Sequence, residues 1–134
     1  MVKKQSYIYA RGKRRTASVR IRLIKGKGQS LVNDLPLEKY FPGQVNTVVW
    51  TRPFKATDSF EKYYFTARVV GGGIRGQLDA LVHAIARALS LAELEKYKPI
   101  LRKEGLLTRD SRIRQRRMIG MGGKSRRKRQ SPKR

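Results

Sequence analysis

Two groups of residues have types and spacings suited to chemistry, and both suit an anion. The first is Gly71-Gly72-Gly73-Ile74-Arg75-Gly76, a G-x-G-x-x-G run between a strand-like segment and an amphipathic one. Glycines let a backbone approach a phosphate closely, the N–H groups of a helix start face outward, and Arg75 adds charge. A dinucleotide fingerprint needs that context, but it also needs a second parallel strand ending in an acid for the ribose hydroxyls. Here the helical segment runs on into Glu93-Leu94-Glu95-Lys96-Tyr97-Lys98-Pro99, which is not a strand. No cofactor is therefore expected. Two readings of the loop remain: tight backbone geometry, or a surface that approaches nucleic-acid phosphate. Asp79 is explained as an early helix residue favoured by the helix dipole.

The second group is cationic. Arg11, Lys13, Arg14 and Arg15 place four cations in five residues with no acid nearby. They repel one another, so a bound polyanion explains them better than solvent does. Arg20 and Arg22, on the polar side of an alternating segment, extend that basic surface. Residues 108–134 hold twelve Lys or Arg and one acid, Asp110. Arg109, Arg112, Arg114, Arg116, Arg117, Lys124, Arg126, Arg127, Lys128 and Arg129 form most of this run, and Lys133 and Arg134 close it. So little apolar surface cannot offset the entropy of ordering, so the segment is expected to be disordered alone, and its charge density suits the phosphates of a nucleic acid. Fully extended, residues 118–134 reach on the order of 50 Å. They lack the apolar face of a membrane-surface helix.

The net charge is +24 over 134 residues, and it is uneven. Residues 1–30 carry ten cations and no acid, whereas residues 31–107 carry eleven cations and eight acids. Most apolar residues precede Thr108, enough for one modest core. Disulfides, thiolates and sulfur-ligated zinc are excluded by the absence of cysteine. A single histidine leaves little for metal or triad chemistry. His83 lies off the apolar stripe of its helix and reads as a surface group or an RNA contact, with Arg87 facing the same partner. No apolar run approaches the ~18 residues of a membrane span, and the N-terminus does not read as a secretory signal. A cytoplasmic location is expected.

The elements that must position these groups follow from periodicity. Residues 6–10 read as a short strand, and Arg11-Gly12-Lys13-Arg14-Arg15 as a basic loop. Residues 17–24 alternate apolar and cationic as a strand. Lys25-Gly26-Lys27-Gly28 reads as a turn, and residues 29–33 as the strand returning in an antiparallel hairpin. Asp34 is a candidate N-cap for a short helix over 35–41. Residues 45–51 are ambiguous between strand and helix, closed by Arg52-Pro53. Residues 63–70 form a strand with Tyr63, Phe65, Ala67 and Val69 on one face. Residues 77–91 form the best helix, with Leu78, Leu81, Val82, Ile85 and Leu89 in one stripe. A second helix starts at Pro99 and stops before Gly105. Most aromatic residues fall at core spacing and are read as structural. Together these give an α+β, two-layer α/β sandwich with a mainly antiparallel sheet. Residues 1–107 are the globular domain and 108–134 a long basic extended C-terminal tail.

Several blocks, in order, resemble the small-subunit ribosomal protein family nine in its bacterial form. They are Gly12-Lys13-Arg14-Arg15-Thr16-Ala17-Ser18-Val19, Gly26-Lys27-Gly28 and Leu37-Glu38-Lys39-Tyr40-Phe41. Further on come Gly71-Gly72-Gly73-Ile74-Arg75-Gly76-Gln77, His83-Ala84-Ile85-Ala86-Arg87-Ala88-Leu89 and Gly105-Leu106-Leu107-Thr108-Arg109-Asp110-Ser111-Arg112. The resemblance implies a sandwich like the second domain of small-subunit ribosomal protein five. It implies no enzyme activity. It also implies binding to ribosomal RNA of the small-subunit head, through the cations named above, beside neighbouring head proteins. Lys133 and Arg134 would reach the transfer RNA in the peptidyl site. The ending Gln130-Ser131-Pro132-Lys133-Arg134 lacks the Phe usual in the family and carries Pro132 instead. Two other classes share parts of this pattern. A free nucleic-acid-binding factor would share the basic arms, and a nucleotide-dependent enzyme would share the glycine loop.

Overall fold

The computed structural model describes residues 6–122. Five strands form one sheet, with β1 Ile8–Arg14, β2 Ala17–Lys25, β3 Leu31–Val32, β4 Leu35–Pro36 and β5 Tyr63–Val70. Four helices accompany it, α1 Leu37–Tyr40, α2 Gln44–Thr57, α3 Ile74–Ala92 and α4 Leu94–Lys103. The strand order is β1-β2-β5-β3-β4, antiparallel throughout except for β3 beside β5. The α+β class and the mainly antiparallel sheet are as expected from the sequence.

The connection of the first strands differs from the expectation. The basic run is no loop: β1 continues through Arg14, paired with Ala17 across a two-residue turn in which Arg15 has φ 55°. The expected hairpin of residues 17–24 with 29–33 is not formed. Both edges of β2 are occupied, by β1 and by β5. Residues 26–30 instead pass the end of β5, where the Gly26 N–H donates to the Lys62 carbonyl at 2.8 Å. The two-residue β3 is lengthened by side chains. The Asn33 amide donates to the Val69 carbonyl and accepts from the Val69 N–H, at 3.1 and 2.9 Å, as a strand residue would.

Asp34 is not a helix cap. Asn33 and Asp34 form the β3–β4 turn, with φ 49° and 67°, values suited to a two-residue hairpin. Helix α1 begins after Pro36 without a side-chain cap. Residues 44–57 are one helix, and Pro53 lies inside it rather than ending it. Trp50, Phe54 and Thr57 fall at i, i+4 and i+7 and are buried, so tertiary packing overrides the β-branched run and the proline. Phe54 stacks on Phe65 of β5 at 6.1 Å between centroids, which seats α2 on the sheet. Helix α4 also starts earlier than expected and holds Pro99 internally, because Tyr97 and Leu101 anchor it in the core. Its end is as expected. Gly105 has φ 73°, and the Leu106 and Gly105 N–H groups donate to the carbonyls of Leu101 and Arg102.

Helix α3 lies across β1 and β2 with Ala80, Leu81, Ala84, Ile85, Ala88 and Leu89 fully buried. Its alanines let it approach β1 closely at Gly12. A Cβ there would stand 2.1 Å from the Ala80 carbonyl oxygen and 2.6 Å from the Ala84 nitrogen. Both obstacles are backbone and cannot rotate away. The Gly12→Ala variant is therefore expected to lose stability at or above the upper end of the roughly 1–3 kcal/mol typical of overpacking. Thermal unfolding monitored by circular dichroism checks this.

Candidate nucleic-acid interface

The inner face of the sheet is apolar except at one corner. There Arg14, at 8% exposure, comes in among the helices. Its guanidinium donates to the Arg112 carbonyl and sits 3.4 Å from the Asp110 carboxylate and 3.9 Å from Asp79 of α3. A buried cation needs such partners, since an unpaired one would be costly. Asp110 also accepts from the Arg112 side chain at 2.7–3.2 Å and from its N–H at 3.1 Å. These Arg112 contacts, helped by the charge of Arg14, hold the Asp110 carboxyl well below the usual carboxylate range. Nearby, Leu106 is buried and the Leu107 carbonyl accepts from Nε2 of His83 at 3.2 Å. That bond requires a proton on Nε2, and Nδ1 is buried without a partner. Burial lowers the His83 pKa below its ordinary value; the bond to the Leu107 carbonyl offsets part of this, and the Arg87 and Arg109 charges lower it further. His83 is thus half-buried and internally bonded rather than a free surface group. Side chains of β1 and α3 clasp residues 106–112 and aim the irregular segment that follows.

The open face of the sheet carries the second feature. The register places Arg11 opposite Arg20, and Arg20 opposite Arg68, so three arginines stand side by side across three strands. The row beside it is Tyr9, Arg22 and Thr66, and the row on its other side is Lys13, Ser18 and Val70. Like charges directly opposite on a sheet destabilise it. Among the described residues, Arg68 alone of the three has a carboxylate in ion-pair range, Asp34 at 3.2 Å. Arg22 lies over the Tyr7 ring at 5.0 Å from its centroid.

The residues named from the sequence divide by place. Arg11, Lys13 and Arg20 are exposed on the open face, and Arg15 is exposed on the β1–β2 turn. Arg75 is exposed in the first turn of α3. Arg109, Arg112, Arg114, Arg116 and Arg117 are exposed along the irregular segment. Lys124, Arg126, Arg127, Lys128, Arg129, Lys133 and Arg134 lie outside the described residues. Arg14 points inward and serves the clasp. Gly71 and Gly72 have positive φ and press on Thr16 and Ala17, so this part of the loop is tight backbone packing at the β1–β2 turn. The loop, that turn and the clasp lie together at one end of the sheet. At the other end burial raises the pKa values of Tyr63 and Tyr97, and the nearby Glu93 charge raises them further. The Arg87 guanidinium donates to the Arg11 carbonyl at 2.8 Å and so ties down β1.

Sequence reasoning missed Arg68 and the exposed rings of Tyr7 and Tyr9. Alternation along residues 63–70 already put Arg68 on the polar face. Only the β2–β5 register shows that it adjoins Arg20.

Among the described residues no group of three or more His, Asp and Glu is placed to hold a metal, and no helix is long and apolar enough to cross a membrane. An α+β body with cations ranked on one sheet face, at one end and along a clasped segment is a polyanion-binding module. The description "Ribosomal protein S9/S16" belongs to the family model that matches residues 12–134. The chain is 42% identical over 119 residues to the small ribosomal subunit protein uS9 of Desulfotalea psychrophila, covering 89% of this chain and 91% of that protein. It is 42% identical over 112 residues to the protein of the same name from Cutibacterium acnes, covering 84% of this chain and 65% of that protein. For Leifsonia xyli subsp. xyli the figures are 42% over 110 residues, 82% and 66%. The chain thus spans just under two thirds of two of these relatives and nine tenths of the third. It belongs to the ribosomal protein S9/S16 family, as the residue blocks suggested.

The lone histidine makes the clasp measurable. His83 is expected to titrate below the ordinary value of about 6.5. A base whose folded pKa is lowered leaves the unfolded chain binding more protons, so its contribution to stability is complete above about pH 6.5 and declines as pH falls below it. Arg14→Gln, by loosening residues 106–112, should expose His83 to water, which outweighs loss of the Leu107 bond, and so move its titration back up and cost roughly 2 kcal/mol. Proton NMR of the single imidazole and urea denaturation check both.

Proposed function

We propose that this chain is a structural constituent of the small ribosomal subunit. Its body docks on ribosomal RNA of the head through the basic end and the open sheet face. Its C-terminal residues extend along RNA towards transfer RNA in the peptidyl site, with other head proteins as neighbours. The observation that carries the reading is the grouping of Lys13, Arg15, Arg75 and the cations after the clasp at one end of the folded body, in a member of this family. Phosphate contacts of this kind position a protein without reading sequence, so recognition rests on RNA shape. Lys124, Arg126, Arg127, Lys128 and Arg129 act as counterion replacements along the path, and Lys133 and Arg134 as the contacts to transfer-RNA phosphate.

A free nucleic-acid-binding factor would use the same cations. Sedimentation of lysate through sucrose at moderate and high salt separates the two. Stoichiometric co-migration with the small subunit through the high-salt wash is expected. A chain shed onto any nucleic acid as salt rises would contradict it. Removing Lys133 and Arg134 should leave folding and subunit assembly intact and weaken peptidyl-site transfer-RNA binding. The slope of log affinity against log salt should fall by roughly 0.7–0.9 per lost phosphate contact. An unchanged affinity across salt concentrations would contradict the contact.

A further inference from the structure

We infer that the open face of the sheet is a site for an unpaired stretch of RNA, with phosphates on the Arg11–Arg20–Arg68 row and a base stacked on Tyr9. This rests on the reading of the chain as an RNA-binding ribosomal protein and adds a site and a ligand form to it. Three observations carry it. First, the three arginines adjoin one another across β1, β2 and β5, where strands lie about 4.8 Å apart, well inside the roughly 8 Å screening length of physiological salt. With one carboxylate, Asp34, among them, the row needs external negative charge. Second, Tyr9 and Tyr7 sit on the same face with 46% and 49% of their surface exposed. Every large aromatic on the opposite face of the sheet is buried. Third, the face holds a groove of about 390 Å³ lined by Tyr9, Arg20, Arg22, Thr66, Arg68 and Asp34 among others.

Charge alone would suit a duplex or an acidic protein equally well. The rings decide for an unpaired strand. A duplex keeps its base faces stacked inside, whereas a single strand offers them to aromatic side chains beside cations. Arg22, already over the Tyr7 ring, shows that a cation and a ring meet on this surface. Asp34 sets one boundary: its carboxylate repels phosphate, so the backbone crosses nearer Arg11 and Arg20 than the Arg68–Asp34 pair.

Fluorescence anisotropy with the full chain tests the site against two probes, an unpaired ribo-oligomer of about 12 nucleotides and an RNA hairpin with as many phosphates. Comparing variants keeps the tail's own binding constant. Tyr9→Leu should weaken the unpaired probe roughly 5- to 150-fold and leave the hairpin unchanged, and Tyr9→Phe should restore binding. Arg11→Gln with Arg20→Gln should lower the salt slope for the unpaired probe by about 1.4, while the melting temperature holds or rises. Wild-type affinity in Tyr9→Leu, or equal losses on both probes, would overturn the inference. If the chain still co-migrates with the small subunit through the salt wash, that failure touches this site alone. Loss of co-migration would instead overturn the broader reading.

Discussion

Cations held side by side by a sheet that cannot move them apart are the constraint on which the rest of this structure depends. Strand pairing sets Arg11, Arg20 and Arg68 in one row, and pairing is governed by the apolar residues behind them. Val19, Ile21 and Leu23 must face α3, so their neighbours Ser18, Arg20 and Arg22 must face outward. Repulsion on the outer face is thus imposed by burial on the inner one. The core offsets it in the free chain, and an RNA would remove it. Among the described residues, Arg68 alone of the row has a carboxylate beside it, Asp34.

The same logic accounts for the close packing behind that face. A close helix–strand contact lies behind the cationic face. Helix α3 rests on β1 at Gly12 with alanines and a glycine where larger side chains would hold them apart. Arg87 then fastens the edge strand from outside. At the end of the sheet Arg14 turns inward and spends its charge on Asp110, Asp79 and the Arg112 carbonyl. One cation of the basic run therefore does structural work so that the others face outward from a defined place, and the segment after Leu107 starts in a defined direction.

Much of the fold was legible in the sequence because its signals were local. The alternation of 63–70, the stripe of α3 and the Gly105 helix end each needed only near neighbours. What failed depended on partners far along the chain. The hairpin after β2 was plausible from Lys25-Gly26-Lys27-Gly28, but β5, forty residues on, holds the edge of β2 that it required. Pro53 read as a terminus because nothing nearby shows that Phe54 stacks on Phe65. In the site, charge density marked the basic run correctly as a feature. It could not show that Arg14 faces inward, since period-2 alternation appears only once the run is known to be strand. His83 likewise read as surface because its partner, the Leu107 carbonyl, comes from beyond α4.

The central claim is that the folded body carries a cationic surface strained until negative charge covers it. Thermal unfolding of the free chain in chloride salt from about 0.1 M to 1 M, where the screening length shortens from about 10 Å to 3 Å, tests this directly. The account predicts a melting temperature that climbs with salt, as screening relieves repulsion among the cations. A melting temperature that stays level or falls over that range would show that the cations do not oppose folding, and would contradict it.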